Sequence, residues 1–311
     1  MKNKIIHAKI KEIFSKSNFI PKTLIQGNDQ FVYNLQQSTQ REYVKSSTVL
    51  YEGTLNNKTT ILKIIVEPKG NILRFRRELY AYQQLPTKFP FWKEAIPKLY
   101  YAGQSPLPFL IMERIDGQML GDWYHLTNFS SNILAQLFDL LFKINQKIKL
   151  PNSIAFQPLL GISYYQQLNQ GKKKSLQLFS QNEGKTIWNR YCELSQKINK
   201  FWPSLKKGLI FGDFSPSNIF YNNIEGFTFI DFETLSHGHI AQDLALFYFA
   251  SLNNPQIRVI DRKIRSLFKS NEENRLLDFM IAHLILNQMF RFKNNQEMLF
   301  ILNKELKTIL G

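Results

Sequence analysis

Between Arg41 and Val66 polar and apolar residues alternate, β-branched side chains are frequent, and Asn56-Asn57-Lys58 supplies a turn. That period-two pattern predicts antiparallel strands joined by a tight connection. The period then changes. From Leu73 to Leu85 the apolar residues Phe75, Leu79 and Tyr82 recur at helical spacing, which predicts one amphipathic helix. Phe109 to Glu113 reads as a short apolar strand closed by the turn signal Asp116-Gly117. From Asn132 to Lys207 the spacing is mostly helical, as in Ile133, Leu137, Leu140, Leu141 and Ile144. Two short strands follow, Gly208 to Phe211 and Phe227 to Ile230, and helices run to the end. Near the N-terminus Ile6, Ile10, Ile13 and Phe14 share a helical face, while Lys9, Lys11 and Glu12 interrupt any apolar core of a signal peptide. An amphipathic helix is expected there.

The change of period along the chain predicts an α+β fold in two lobes. Residues 1–40 form a helical or irregular extension. Residues 41–113 form a small β-rich N-lobe, 114–117 a hinge, and 118–311 a larger, mainly helical C-lobe. A ligand is expected in the cleft between lobes.

Composition narrows this picture without changing it. At 311 residues, 44% hydrophobic and 21% charged, the chain can bury a real core. Its one cysteine, Cys192, rules out a disulfide framework and a thiolate cluster, so a reducing, cytoplasmic setting is expected. No apolar run is long enough to span a membrane. The net charge of +16 has two readings, a compositional bias or an anionic partner.

The chemistry concentrates between Phe211 and Glu233. Asp213 follows an apolar strand across Gly212, and Pro216 stiffens the loop that leads to Asn218. Ile219-Phe220-Tyr221 then turns at Asn222-Asn223 and returns as Phe227-Thr228-Phe229-Ile230, with Asp231 at its end. A hairpin of that length is expected to bring Asn218 and Asp231 together near Asp213. Two carboxylates and an amide oxygen make an oxygen-only site suited to Mg²⁺. Phosphoryl transfer needs such a set: one carboxylate to take the proton of an attacking hydroxyl, the rest to hold the metal that bridges the phosphates. Upstream, Lys63 is embedded in the apolar strand Ile61-Leu62-Lys63-Ile64-Ile65, and Glu78 neighbours the apolar stripe of its helix. Either charge is costly to bury alone, so each is expected to need the other.

These residues resemble the aminoglycoside phosphotransferase and choline kinase branch of the protein-kinase-like superfamily. Asp213 with Asn218 five residues on resembles its catalytic loop, Ile230-Asp231-Phe232-Glu233 its metal-binding element, and Gly238 with Asp243-Leu244-Ala245 its downstream element. The resemblance implies ATP as donor, Mg²⁺ as cofactor, Asp213 as catalytic base, and Asn218 and Asp231 as metal ligands. It also implies Lys63, held by Glu78, on the phosphates, and Asp243 as a brace for the loop. Phe211 stands where the family usually has a histidine, and a Phe packed into the core is expected to replace it. No glycine-rich loop is present; Ser46, Ser47 and Thr48 either bond the phosphates or form a polar hairpin turn. Leu110 to Gly117 resembles the family's hinge, with Met112 beside the adenine and backbone groups of Glu113 and Ile115 facing it.

From Lys143 to Lys207 there are 12 Lys and Arg and 2 Glu, centred on Lys172-Lys173-Lys174. Such a charge repels a polycation. The acceptor is expected to be a hydroxyl of a small molecule or glycan, neutral or anionic, with an anionic partner at the basic surface the alternative use of that charge. A protein or lipid kinase and a nucleotide-binding pseudokinase are the rival functions, and nucleic acid is the remotest partner.

Overall fold

The computed structural model describes residues 2–26, 48–67, 71–127, 129–151, 156, 165 and 167–311. Two compact units emerge, Met1–Gln118 with Tyr221–Glu233, and Met119–Phe220 with Thr234–Gly311.

In the first unit, helix α1 (Lys2–Ser17) leads into β1 (Ile20–Gln26), β2 (Thr48–Leu55) and β3 (Lys58–Ile65). Then come α2 (Ile72–Lys88), the single turn α3 (Trp92–Ala95), β4 (Leu99–Gly103) and β5 (Phe109–Glu113). The sheet is antiparallel in the order β1-β2-β3-β5-β4. Asn56 and Asn57, both at positive φ, make the β2–β3 turn, as asparagine tolerates that region. One face of the sheet closes over α1: Ile10 and Ile13 pack with Leu62, Ile64, Phe109 and Ile111. The expected boundary at residue 40 lies outside the described residues, but Lys2–Gln26 belong to this unit: α1 caps its core and β1 pairs with β2 through Ile20–Thr54 and Leu24–Tyr51. The edge strand escaped notice because Pro21 and Lys22 interrupt its alternation.

The second unit holds α4 (Ser131–Lys147), α5 (Gln170–Leu176), α6 (Gln181–Phe201) and β6 (Gly208–Ile210). The chain then crosses to the first unit within β7 (Ile219–Asn222), turns into β8 (Gly226–Phe229), and crosses back after Glu233. In the first unit this return segment is fixed by aromatic edges: Trp92 meets Phe229 and Phe232, and Tyr82 meets Phe232. Back in the second unit, β9 (Ser236–Gly238) pairs antiparallel with β6. Helices α7 (Ala241–Ala250), α8 (Ile257–Ser266), α9 (Asn271–Gln288) and α10 (Gln296–Leu310) complete it. A capping box between Ser270 and Glu273 starts α9. No helix among the described residues is long and apolar enough to cross a membrane.

Candidate active site

In the first unit Lys63 lies mid-strand on β3, its neighbours Leu62 and Ile64 fully buried. Its Nζ is 2.8 and 2.7 Å from the two carboxylate oxygens of Glu78, which α2 presents from a 1% exposed position. The same ammonium reaches Asp231 Oδ1 at 2.9 Å and Glu233 Oε1 at 2.9 Å. Arg77 donates to the backbone carbonyl of Glu233 at 3.3 Å, and Arg74 approaches its side chain at 4.0 Å. Burial works against the charge on Lys63, but Asp231, Glu78 and Glu233 outweigh it and hold the ammonium well above its usual pKa. Burial likewise pushes Glu78 up, to about 8, with Lys63 pulling it back. Asp231 adopts φ 61°, a left-handed backbone that costs a non-glycine residue and persists only where the surroundings impose it. Oxygens of Glu78, Asp231 and Glu233 gather within 4.8 Å of one another.

In the second unit the catalytic-loop candidates are held by backbone and neutral groups. The Asp213 carboxylate accepts a hydrogen bond from Trp123 Nε1 at 3.0 Å. Asn218 Nδ2 donates to the Asp213 carbonyl at 3.0 Å, which leaves its amide oxygen as the atom to offer a cation. The buried Asp243 carboxylate accepts from Phe211 N and Gly212 N, both at 2.8 Å. Burial raises it to about 7 against the pull of those two bonds. Thr234 Oγ1 donates to the Phe211 carbonyl at 2.7 Å. Gly212 sits at φ 76°, and a Cβ there would meet the Thr234 carbonyl at 2.7 Å, so only glycine fits. Phe211 is buried and stands 5.4 Å from the Phe214 ring. The loop is thus braced by Asp243 and Thr234 through its backbone, with the aromatic pair as its floor.

Asp213 lines a cavity of 290 Å³ together with Trp123, Tyr165, His237, Gln242, Met280 and His283. A larger hollow of 770 Å³, lined by Tyr248, Asp261 and Phe300, touches none of these residues.

Of the nucleotide-contact candidates, Ser46 and Ser47 lie outside the described residues. Thr48 opens β2 opposite Ile65. Met112 is buried in β5, and the Glu113 N–H is already taken by the Lys98 carbonyl at 2.9 Å. Sequence reasoning passed over three residues at these sites. Glu233 was visible only as part of a motif, two positions after Asp231. Arg77 looks like any surface arginine until its helix is packed, and Trp123 gave no signal at all. One reading is overturned: Lys172 is not the centre of a basic surface. It is fully buried, donating to the carbonyls of Tyr165 and Gln167, with its Nζ 4.8 Å from the centre of the Tyr191 ring. Helical packing of α5 turned that one member of the triplet inward.

The family model for the phosphotransferase enzyme family, APH, matches residues 46–277. No curated protein matches by sequence. Among solved structures the fold is similar to aminoglycoside phosphotransferase APH(4)-Ia (TM-score 0.59, 13% identity, 97% of each chain). It is also similar to choline kinase LicA from Streptococcus pneumoniae (TM-score 0.57, 15% identity, 97% of each chain). ADP-bound aminoglycoside phosphotransferase APH(2'')-Ib gives a TM-score of 0.56 at 16% identity, over 97% of this chain and 96% of that one.

Proposed function

Because the chain belongs to the phosphotransferase enzyme family, and so is an enzyme that phosphorylates hydroxyl groups, we propose that its donor is ATP and its acceptor a hydroxyl of a small molecule or glycan, neutral or anionic rather than polycationic. The observation that carries this reading is the ammonium of Lys63 held by Glu78, Asp231 and Glu233. Three carboxyl groups converging on one buried lysine form a cluster of perturbed ionisable groups, the kind of arrangement that gathers at functional sites.

Asp213 takes the acceptor's hydroxyl proton. The hydroxyl oxygen bonds to the γ-phosphorus as the bond to the β,γ-bridging oxygen breaks, and ADP leaves. Lys63, positioned by Glu78, binds the α- and β-phosphates. Met112, the Glu113 carbonyl and Ile115 hold the adenine. The donor set is all oxygen, with Asp231 half-exposed at a strained backbone and Asn218 turned oxygen-outward, and that chemistry fits Mg²⁺. By the family resemblance Asn218 and Asp231 would hold it, and when bound it would neutralise charge on the phosphate oxygens. The enzyme is read as cytoplasmic. The +10 balance between Lys143 and Lys207 supports an acceptor that is not a polycation, even with Lys172 buried.

The test is Mg²⁺-dependent turnover of ATP by the wild type beside Asp213→Ala. Loss of about 10²–10⁴-fold in the variant is expected from removal of a general base. Wild-type protein that binds ATP yet neither hydrolyses it nor phosphorylates any acceptor in a broad panel sinks the reading.

A further inference from the structure

The cavity beside Asp213 says more about the acceptor than the charge of the chain does. Its apolar and aromatic lining is Trp123, Tyr165, Ile210, Leu246, Met280 and Leu284. Among the described lining residues, Asp213 is the one with a formal charge. The stretch from Pro151 to Gln170, which carries Tyr165, contains no charged residue. Lys172 is not among the lining residues and reaches this region through the Tyr165 backbone carbonyl.

Most polar side chains on the described wall are already engaged with the protein. Trp123 Nε1 donates to Asp213. Gln242 donates to the Tyr165 hydroxyl at 2.9 Å and accepts from the His239 N–H at 3.0 Å. His237 Nε2 bonds the Leu150 carbonyl at 3.1 Å, and Thr234 donates to Phe211. Tyr191 donates its hydroxyl proton to the Tyr165 carbonyl, so His283 Nδ1, 3.0 Å from that hydroxyl, must be the donor to it. His283 Nε2 then accepts from Asn287 Nδ2 at 2.9 Å. Both ring nitrogens are used in the neutral form, in keeping with burial, which drives the imidazole well below its usual pKa.

A polyol entering here loses its water and finds few partners, which costs affinity for every added hydroxyl. A phosphorylated or carboxylated acceptor meets no cation on the described wall and faces Asp213. An apolar ring loses nothing and gains contact with Trp123, Met280 and Leu284. We infer that the acceptor is an uncharged alcohol of few hydroxyls on an aromatic or alicyclic frame, its body held by this apolar wall and one hydroxyl delivered to Asp213. The inference rests on the phosphotransferase reading and narrows it: the neutral class is kept, and the anionic and glycan classes are dropped.

Two measurements test it. Binding is followed by the fluorescence of 2-naphthalenemethanol titrated into the full chain, and transfer by labelled ATP with Mg²⁺ across four acceptor groups. These are aryl and alicyclic alcohols, hexoses, sugar phosphates and aminoglycosides. Saturable naphthalenemethanol binding is expected, weakened about tenfold or more by the half-exposed Leu284→Glu, with label passing preferentially to the first group. Absence of saturable binding to wild-type protein overturns the inference. So does transfer that favours hexoses, sugar phosphates or aminoglycosides, an outcome that leaves the phosphotransferase reading standing. Binding without any ATP turnover, to acceptor or to water, overturns the phosphotransferase reading and the acceptor role with it.

Discussion

Each unit buries a lysine, and opposite surroundings keep the two in place. Lys63 lies among Glu78, Asp231 and Glu233, side chains contributed by α2 and by the segment after β8. Among the described residues no carboxylate pairs with Lys172; its ammonium meets the backbone carbonyls of Tyr165 and Gln167 and the ring of Tyr191. The first arrangement pushes the lysine's pKa up, and the second lets burial push it down to about 8. The contrast separates two uses of a buried charge. Lys63 links ionic side chains from two segments, the arrangement proposed above to meet a polyphosphate. Lys172 ties down carbonyls whose dipoles never change, a structural staple for the chain around Tyr165.

Removing Lys63 tests the contrast hardest. Lys63→Met leaves three carboxylates facing one another without their cation. Loss of phosphotransfer of about 10²–10³-fold is expected from the missing phosphate contact. Removing one partner of such a buried cluster also destabilises by about 3–5 kcal/mol, moderated as Glu78 takes up a proton. Activity assays and urea unfolding read both, and a variant within threefold of wild-type turnover refutes the role given to Lys63. Glu78→Gln is milder, because Asp231 and Glu233 still hold the ammonium. Its loss is expected to be about tenfold in kcat/KM for ATP, with the KM for acceptor unchanged.

The same contrast shows which residues could be read from the chain and which could not. Lys63 was legible because a lone lysine in Ile61-Leu62-Lys63-Ile64-Ile65 breaks a strong pattern and demands a partner. Glu78 answered that demand fifteen residues on. The strands and turns that carry Asp213, Asn218 and Asp231 were legible because they are local properties. Lys172 was misread because its neighbours Lys173 and Lys174 made a surface run the simplest account, and one turn of helix decides which member points inward. Trp123 illustrates the remaining limit. Its bond to Asp213 joins residues 90 apart, and nothing in Gly121-Asp122-Trp123 signals it. Strand β1 failed for a different reason, since its partner's register, and not its own alternation, fixes it in the sheet.

Replacing Lys172 sharpens the comparison from the other side. Lys172→Met keeps the aliphatic bulk beneath Tyr191 but removes the charged donor to the Tyr165 and Gln167 carbonyls, which retain the Tyr191 hydroxyl and the Asn169 N–H. A destabilisation of about 1–3 kcal/mol is expected, together with a higher KM for acceptor as Tyr165 loosens, while kcat for ATP hydrolysis stays near wild type. A fall in kcat as large as that of Lys63→Met removes the distinction drawn between the two lysines.

The subtlest difference is the sign of the pH dependence. Burial lowers Lys172 to about 8, so above that pH the folded protein has released a proton that the unfolded chain, titrating near about 10.4, still holds. More protons on the unfolded state mean that stability rises with pH through this group, by up to about 1.4 kcal/mol per unit between about pH 8 and 10. Lys63 behaves in reverse. Its raised pKa makes its contribution complete below about 10.4 and lost only as the pH climbs through the folded value. Between pH 8 and 10 the two are therefore separable, because only Lys172 is changing charge. Urea unfolding across that window, taken as wild type minus Lys172→Met, is expected to give a difference that grows with pH. A flat difference means that the carbonyls and the Tyr191 ring hold Lys172 charged as firmly as the carboxylates hold Lys63, and the two sites then differ only in what a ligand can rearrange.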